Sequence, residues 1–409
     1  MEARVSEIPP RECDLVVVGA GIVGLTTARE LMLRHPGIRI AVFERESAIA
    51  AHQTTHSSGV IHAGIYYTPG SMKARVCVQG ARELYAYCDE RGIPTRRTGK
   101  VIVATDEEEL PGLAELERRG RANGVEGLRR IDGDALREIE PHARGLAALH
   151  SPNTGVVDFG RVAGAVADEL ADGGVSVHPG CPVLSTAADG AGIEIRHGGG
   201  TTHARAAVLC AGAWSDRLAV AAGAPAEPRI VPFRGAFLRL RPERSHLVQT
   251  SIYPVPDPEL PFLGVHLTRG LDDVVQMGPS ALMVAARDGY RLGRVRGRDL
   301  AATVGWPGTW RLLRRHWRSA LAEVKRAASR RAMVAELRRF VPELATADVV
   351  PGFAGVRGQA LARDGTLVDD FVVSRTERAL HVRNAPSPAA TSAFALAREI
   401  ADGIEPDLA

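Results

Sequence analysis

The sequence predicts an α/β fold built around a Rossmann-like domain, and two observations carry this prediction. The first is a β-branched run, Leu15 to Val18, that ends in glycines with G-x-G-x-x-G spacing and leads into a helical pattern. The second is a further apolar run at 38–43 that ends in the acidic Glu44. With 409 residues, 45% of them hydrophobic, the chain is long enough to bury a full core and to hold two domains.

The glycines between the first strand and the helix predicted at 25–33 indicate a diphosphate site. Gly19, Gly21 and Gly24 permit a tight turn that brings a pyrophosphate close to the helix N-terminus, where N–H groups and the dipole attract anions. Glu44, 25 residues after Gly19, is placed to accept hydrogen bonds from ribose hydroxyls. Such glycines also suit plain packing of a helix on a sheet, but here strand, turn, helix, second strand and acid agree. The motif indicates a bound adenine dinucleotide and leaves FAD and NAD open.

The segment that follows, HQTTHSSGVIHAGIYY at 52–67, decides between the two cofactors. It is too rich in imidazole and hydroxyl groups for a core strand, and a long helical pattern follows at 67–93. A nicotinamide dehydrogenase would normally continue into another βα unit at this point. The stretch resembles the D-amino-acid-oxidase-like flavoprotein superfamily and, more narrowly, the L-2-hydroxyglutarate oxidase/dehydrogenase family, whose pattern is close to GHNSGVIHAGIYY followed by PGSLKA.

This resemblance covers nearly the whole chain, because several long motifs match the family in the same order. They are RIVPFRG (229–235), IYPVPDPELPFLGVHLTR (252–269), GVRGQA (355–360), DGTLVDDF (364–371) and NAPSPAATS (384–392). The resemblance implies FAD and a Rossmann-like FAD-binding domain with an inserted substrate domain, an antiparallel β-sheet plus helices that roofs the flavin. We expect the FAD-binding domain at 11–90, 150–225 and 350–405, and the substrate domain at 91–149 and 226–349. YPVPDP (253–258) reads as a proline-broken connection, unfit for a central strand.

Three later segments complete the implied FAD site. Residues 175–184 read as strand material beside the adenine, and 204–219 as a strand, a small-residue turn and a helix beside the dinucleotide. The closing stretch, 381–404, places prolines before a helix whose positive end, in the family, points at the flavin pyrimidine edge, although it also reads as an ordinary surface helix. The further FAD contacts so implied are Ser57, Ser58, Gly59, Val183, Gly212, Arg357, Pro388, Ala389, Ala390 and Thr391.

A flavin that oxidises an alcohol needs a base for the hydroxyl proton and a cation for the carboxylate. His62 is the first choice for the base, and His56 is the second, at a position that carries a covalent flavin link in some relatives. His266 is a candidate substrate contact. Tyr66 and Tyr67 would point to opposite faces if they lie on a strand, so at most one of them faces the site. We select Tyr66 as that residue. Arg357 is the predicted carboxylate anchor, with Arg234 and Lys73 as weaker candidates.

The resemblance implies oxidation of a 2-hydroxy acid, L-2-hydroxyglutarate to 2-oxoglutarate, by hydride transfer to flavin N5. The chain departs from the family pattern at Ser57, Ala236, Leu238, Ser280 and Gly358, mostly toward smaller side chains. If these residues line the pocket, a bulkier or less polar hydroxy acid, an alcohol or an amine is the alternative substrate. A protein that uses FAD only for stability is a further alternative. The electron acceptor, O₂ or a quinone, stays open.

Composition narrows the partners and the location. A formal charge of +3 is too small to predict a nucleic-acid partner. The five cysteines form no CxxC pair, which argues against a disulfide framework or a zinc site and predicts reduced thiols in a cytoplasm. The first ten residues lack the apolar core of a signal peptide, and no apolar run is long enough to span a bilayer.

The segment 287–340 is strongly basic, with fifteen Lys/Arg against four Asp/Glu. It predicts amphipathic helices, with Trp310 and Trp317 available for an apolar side. Such helices suit peripheral contact with the inner face of an anionic membrane, near a quinone pool. They equally suit a solvated face whose tryptophans sit in the core, and we favour this second interpretation because charge runs usually mark exposed faces.

Overall fold

In the computed structural model, which describes residues 8–257 and 264–408, a six-stranded sheet forms the first half of the fold. Numbered along the chain, its strands lie in the order β20 (Val372–Thr376), β21 (Ala379–Asn384), β13 (Ala206–Leu209), β1 (Leu15–Val18), β2 (Ile40–Phe43) and β9 (Ser176–His178). The strands from β21 to β9 are parallel, and β20 is antiparallel. β1 and β2 are buried along their whole length, which explains their unbroken apolar sequences.

Helices and a small sheet cover the two faces of the six-stranded sheet. The helices in the described residues are α1 (Ile22–Arg34), α2 (Met72–Glu90), α3 (Leu110–Ala122), α4 (Gly133–Ile139), α5 (Phe159–Asp172), α6 (Ser215–Ala221), α7 (Gly297–Val304), α8 (Pro307–Arg315), α9 (Trp317–Ala328), α10 (Arg330–Leu337) and α11 (Ala393–Ile404). α1, α5 and α11 pack on one face around Leu25, Val166 and Leu396. The other face packs against a three-stranded sheet of β10 (Val183–Ala188), β11 (Ile193–His197) and β12 (Gly200–Ala204).

A nine-stranded sheet forms the second half of the fold. Its order is β18 (Leu282–Met283), β14 (Arg229–Leu240), β17 (Val275–Gly278), β16 (His266–Arg269), β15 (Ser251–Pro254), β5 (Lys100–Ala104), β7 (Ala147–Ser151) and β6 (Arg129–Asp132), with β19 (Val349–Leu361) paired to β14. The pairs are antiparallel, as predicted, except for the parallel pair β5–β15. A short sheet of β3 (Val60–Ile61), β8 (Gly155–Val157) and β4 (Thr95–Arg96) holds the segment after β2.

The local predictions at the N-terminus are close to the observed elements. β1 has the predicted bounds, α1 begins three residues before the predicted 25–33, and β2 begins two residues later than 38. The prediction that YPVPDP is a connection is wrong for its first two residues, because Tyr253 and Pro254 belong to the central strand β15. Pro254 is the last residue of that strand, where a missing N–H is tolerated. Two stretches that the sequence analysis used lie partly outside the described residues. They are the motif at 252–269, of which residues 258–263 are not described, and the first ten residues, of which 1–7 are not described.

The division of the chain into domains stays a prediction, and we propose one adjustment to it. The six-stranded sheet takes its strands from 11–90, 150–225 and 350–405. β19, at the start of the last segment, pairs instead with β14 through most of its length. We therefore propose that the third segment of the FAD-binding domain begins after residue 361 and not at residue 350.

The basic segment folds into α7, α8, α9 and α10. The prediction that its tryptophans sit in the core is wrong for two of them: Trp306 is buried, whereas Trp310 and Trp317 are 59% and 54% exposed. Across residues 8–257 and 264–408, no helix is both long enough and apolar enough to cross a bilayer.

Candidate active site

A cavity of about 1340 Å³ runs from the turn after β1 to the nine-stranded sheet. The glycines of that turn line one part of it, and the histidines, tyrosines and arginine singled out in the sequence line another. This volume exceeds the roughly 300–1,000 Å³ of most small-molecule pockets, so the cavity has room for a ligand larger than a simple metabolite. The dinucleotide motif and the candidate catalytic groups therefore open into the same space.

Each glycine of the turn has a different structural reason. Gly19 has φ +101°, and a Cβ there would lie 2.4 Å from the carbonyl oxygen of Cys210. A Cβ on Gly24 would lie 1.9 Å from the carbonyl oxygen of Gly19, so this glycine lets α1 pack on the turn. Gly21 faces the cavity, and a Cβ there would have only the Thr54 hydroxyl nearby, at 3.5 Å. The open space above Gly21, at the N-terminus of α1, fits the diphosphate of FAD.

Glu44 stands at the end of β2 and supports the same turn. Its Oε2 accepts a hydrogen bond from the Ala20 N–H at 2.8 Å, and its Oε1 accepts one from the Glu46 N–H at 2.9 Å. It also lines the cavity, as do Val183 and Gly212. The carboxylate is thus held in a fixed orientation beside the space in which a ribose would lie.

The opposite part of the predicted FAD site is built by the segment after β2 and the turn before α11. The lining residues from these segments are Ser57, Ser58, Pro388, Ala389, Ala390 and Thr391. Gly59, between two lining residues, has φ +72° and its Cβ position lies 2.8 Å from the Val157 carbonyl oxygen. The Thr391 hydroxyl accepts from the His62 N–H at 3.1 Å and donates to the Val60 carbonyl at 3.2 Å. These two bonds tie the histidine-bearing segment to the start of α11.

His62 and His266 face the cavity from its two sides, and both are neutral imidazoles. Burial is the largest cause that lowers the pKa of His62, and the positive charge of Lys100 is the next. Burial lowers the pKa of His266 to about 3. The Nδ1 of His266 is 2.9 Å from the Gly264 carbonyl and donates to it, which leaves Nε2 as an acceptor. The ring of His266 stacks on Tyr253 with centroids 3.9 Å apart.

Both tyrosines of the segment line the cavity, so the expectation that only one would do so is wrong. That expectation assumed a strand, but β3 ends at Ile61 and Tyr66 and Tyr67 lie in a bend. Burial raises the pKa of both phenols well above its usual value. The hydroxyl of Tyr66 is buried and has no hydrogen-bond partner among the described residues. It is therefore available to a ligand.

Arg357 projects into the cavity from β19, in the position paired with Phe233 of β14. The cavity keeps its side chain accessible although protein surrounds it, and this burial lowers its pKa. Its charge also lowers the pKa of His62 and His266. Among the described residues it has no ion pair, which makes the guanidinium a candidate to bind a carboxylate.

The ring of His62 has a partner within the protein, since its Nε2 lies 3.3 Å from the Ser387 hydroxyl, and so do the other candidates. His56 Nδ1 lies 3.0 Å from the His52 carbonyl, and its ring centroid is 4.2 Å from that of Tyr290. Arg234 Nε donates to the Tyr290 carbonyl at 2.9 Å. Lys73 Nζ forms an ion pair of 2.8 Å with Asp369. His56 and Arg234 thus belong to a neighbourhood around Tyr290, apart from the His62 and His266 pair.

The sequence analysis did not single out Lys100 and Tyr253, which lie beside Tyr66 and His266. Lys100 opens the apolar run KVIVA of β5, and Tyr253 lies in the motif that read as a connection. The ammonium of Lys100 lies 4.0 Å from the ring centroid of Tyr253 and 5.5 Å from that of Tyr66. A lysine at the start of an otherwise apolar run is the signal that could have drawn attention to this residue, although it does not show where the side chain lies.

Most of the departures from the family pattern lie away from the cavity. Leu238 packs in the core cluster with Met277 and Leu337. Ser280 Oγ accepts from the Ala236 N–H at 3.1 Å, so these two residues satisfy each other. A Cβ on Gly358 would lie 3.0 Å from the Ala213 Cα and would crowd this turn. The expectation of a roomier substrate pocket is not supported at these positions, and of the five only Ser57 and Gly358 line the cavity.

Comparison with known proteins gives consistent results. A family model for FAD dependent oxidoreductases matches residues 14–403. The L-2-hydroxyglutarate dehydrogenase of Nematostella vectensis (mitochondrial) is 46% identical over 96% of this chain and 91% of the relative. The human mitochondrial enzyme is 44% identical over 96% and 88%, and that of Indibacter alkaliphilus 40% identical over 94% and 96%.

Solved structures show the same fold at low sequence identity. The FAD-bound L-alpha-glycerophosphate oxidase from Mycoplasma pneumoniae aligns with a TM-score of 0.77 at 20% identity, over 97% of this chain and 95% of that one. Glycine oxidase from Geobacillus kaustophilus aligns with a TM-score of 0.71 at 20% identity, over 97% and 95%.

Proposed function

The chain belongs to the FAD-dependent oxidoreductase family and, within it, to the L-2-hydroxyglutarate dehydrogenases, and on this premise we propose that it oxidises L-2-hydroxyglutarate to 2-oxoglutarate. The observation that carries the proposal is the cavity itself. It joins a turn that fits a diphosphate to two neutral imidazoles and a guanidinium that has no ion pair within residues 8–257 and 264–408. FAD bound in this cavity supplies the acceptor for the hydride.

The proposed FAD contacts follow from the lining of the cavity. The turn formed by Gly19, Gly21 and Gly24 receives the diphosphate in the space above Gly21, and Glu44 accepts hydrogen bonds from the ribose hydroxyls. The turn before α11 and the segment 57–59 hold the ring. The N-terminus of α11 places partial positive charge next to Thr391, where it stabilises negative charge on the cofactor.

We propose that His62 takes the hydroxyl proton of the substrate. The hydride and the hydroxyl group that loses its proton are attached to the same carbon, so the base must lie next to the ring. His62 meets this condition because its backbone is bonded to Thr391, beside the proposed ring site. His266, on β16, faces the substrate from the opposite side and accepts a hydrogen bond through Nε2. His56 stays a second choice.

Arg357 binds the carboxylate next to the reacting carbon. A guanidinium matches a carboxylate with two parallel hydrogen bonds, which fixes the orientation of the substrate. The bound carboxylate also offsets the positive charges that lower the pKa of His62. Substrate binding therefore makes His62 a stronger base at the moment when it is needed.

The test is anaerobic stopped-flow reduction of the purified holoprotein. We expect L-2-hydroxyglutarate to bleach the flavin absorbance and the D enantiomer to leave it unchanged. His62→Gln should slow bleaching by about 10²–10⁴-fold, the usual contribution of a general base. The absence of bleaching at millimolar L-2-hydroxyglutarate would exclude the proposed reaction.

We further propose peripheral membrane contact through α8 and α9. Trp317, Leu321 and Val324 recur at helical spacing on α9 and are each at least half exposed. The exposed Arg318 and Lys325 flank this apolar stripe. An amphipathic surface of this kind suits an anionic lipid headgroup layer, where a quinone is an accessible electron acceptor.

Co-sedimentation with vesicles tests the contact. We expect binding to vesicles of phosphatidylglycerol at low salt, weak binding to phosphatidylcholine, and loss of binding in Trp317→Ser/Leu321→Ser. Equal sedimentation of this variant and the wild type would exclude α9 as the contact. The cytoplasmic location and the identity of the acceptor, O₂ or a quinone, stay predictions.

A further inference from the structure

Directly behind two rings of the cavity wall lies a second buried cation whose role the reaction above does not explain. Lys100, the first residue of β5, is 1% exposed. Its Nζ is flanked by the rings of Tyr253 and Tyr66, at 4.0 and 5.5 Å from their centroids, and both rings line the cavity. Burying an ammonium in such surroundings is unfavourable unless something compensates for it.

Nothing in the described protein provides that compensation as a full negative charge. No carboxylate forms an ion pair with Lys100 within residues 8–257 and 264–408, in contrast to Lys73, which is paired with Asp369. A charged Cys77 thiol would favour the ammonium, but burial raises the pKa of this thiol to about 12, so it is neutral. A cation that is buried next to a ligand cavity without a carboxylate partner among the described residues is a candidate to pair with an anionic ligand.

The charge of Lys100 acts on the same two histidines that face the cavity. Its charge lowers the pKa of His62 and of His266, and the charge of Arg357 does the same. The two cations therefore act on the same pair of imidazoles, one from β5 and the other from β19. The unpartnered hydroxyl of Tyr66 supplies a hydrogen-bond donor beside Lys100.

We propose that Lys100, assisted by Tyr66, binds the distal carboxylate of a five-carbon dicarboxylic substrate while Arg357 binds the proximal one. The inference rests on the proposed function and assigns the residue that makes the enzyme selective for a diacid. Two cations match the two carboxylates of the substrate, and the ammonium that is costly in the empty site becomes paired when the substrate is bound. A monocarboxylic acid leaves Lys100 unpaired, so it is discriminated against.

The experiment compares the FAD-loaded wild type with Lys100→Met, which keeps the length of the side chain and removes the charge. Flavin reduction is measured with L-2-hydroxyglutarate and with L-2-hydroxyvalerate, in which a methyl group replaces the distal carboxylate. We expect kcat/KM for the diacid to fall by about 10²-fold or more, as for loss of a buried charge partner, and kcat/KM for the monoacid to change by less than about threefold. Lys73→Met, whose ammonium already has a partner, should affect both substrates alike.

A binding measurement keeps this test separate from the reaction. Glutarate has both carboxylates and no hydroxyl to oxidise, so calorimetric titration of the holoprotein reports binding of the diacid without the reaction. We expect glutarate to bind the wild type and to lose about 10²-fold in affinity with Lys100→Met, while butyrate shows no such difference. Should no hydroxy acid reduce the flavin, the function proposed above fails while glutarate still tests Lys100. Equal glutarate affinity in both proteins, or an equal fall in kcat/KM for both substrates, would overturn the assignment.

Discussion

At the residue scale, the three glycines of the first turn have different roles: two are required for folding, and the third is explained by cofactor binding. Gly19 and Gly24 are required by the protein itself, because a Cβ on either would overlap a backbone oxygen. Gly21 has φ −77° and ψ 172°, a conformation open to every residue, and its Cβ position is free of close contacts. Only Gly21 is therefore explained by a ligand rather than by packing.

The first prediction follows from this difference. We expect Gly21→Val to fold with an unchanged circular dichroism spectrum and to lose bound FAD, because its methyl groups occupy the space of the diphosphate. Gly24→Ala is the matched comparison and should lower the free energy of unfolding by about 1–3 kcal/mol through overlap with Gly19. The ratio of flavin to protein absorbance checks the result. A Gly21→Val protein that keeps its full flavin content would contradict the placement of the diphosphate.

Lys100 gives the second prediction, which concerns pH. Burial lowers its pKa from 10.5 to about 7, so the empty site holds an ammonium below pH 7 and an amine above it. Its neighbours do not titrate in this range: burial raises the pKa of Tyr66 and Tyr253 and lowers that of His62 and His266.

A bound carboxylate favours the ammonium, so glutarate affinity should be highest below pH 7 and fall about tenfold per unit as pH rises above 7. Calorimetry in buffers of different ionisation enthalpy should show proton uptake on binding at pH 8. For Lys100→Met we expect the weaker affinity to be constant from pH 6.5 to 9. A wild-type affinity independent of pH over this range would contradict the prediction.

At the scale of elements, prediction from sequence succeeded where structure is local. β1, α1 and β2 are set by an apolar run, a glycine turn and a terminal acid that are close together in the chain. β15 was missed because its strand character comes from pairing with β5, about 150 residues earlier, and not from its own proline-rich sequence. The same pairing sets the face of β5 on which Lys100 lies, so its approach to the cavity is not visible in the sequence.

Thr391 carries the third prediction, because it joins two elements at the proposed ring site. Thr391→Val keeps the shape of the side chain and removes both the acceptor for the His62 N–H and the donor to Val60. Loss of these bonds should displace His62 and lower kcat by about tenfold or more, with a loss of about 1–3 kcal/mol in unfolding free energy. Thr391→Ser keeps the hydroxyl and should stay close to the wild type in flavin reduction. A fall in kcat of equal size for serine would show that the methyl group matters instead.

At the scale of the whole molecule, the cavity exists because two sheets from interleaved segments are held together. The motif, the cofactor and the family were predictable from the sequence because the matching stretches are long and in order. The way in which the two sheets are joined was not predictable, because the contact forms between residues that are far apart in the chain. Arg287 is central to it: its side chain is 1% exposed and bonds to Asp216 of α6, to the Ala213 carbonyl and to the Ile230 carbonyl of β14.

This junction gives the last prediction. Asp216 also accepts the Ile230 N–H at 3.1 Å, so Arg287→Met leaves a buried carboxylate without its counter-ion. We expect a loss of about 3–5 kcal/mol in unfolding free energy and a fall in FAD content, because the Gly212 turn at the cavity wall is no longer fixed. Arg291→Met, at an exposed arginine nearby, is the control and should have little effect.

Adding Asp216→Asn to Arg287→Met removes the stranded charge and should recover part of the stability. Chemical denaturation with flavin fluorescence measures both losses. A double variant no more stable than Arg287→Met alone would show that packing, not charge, joins the two sheets.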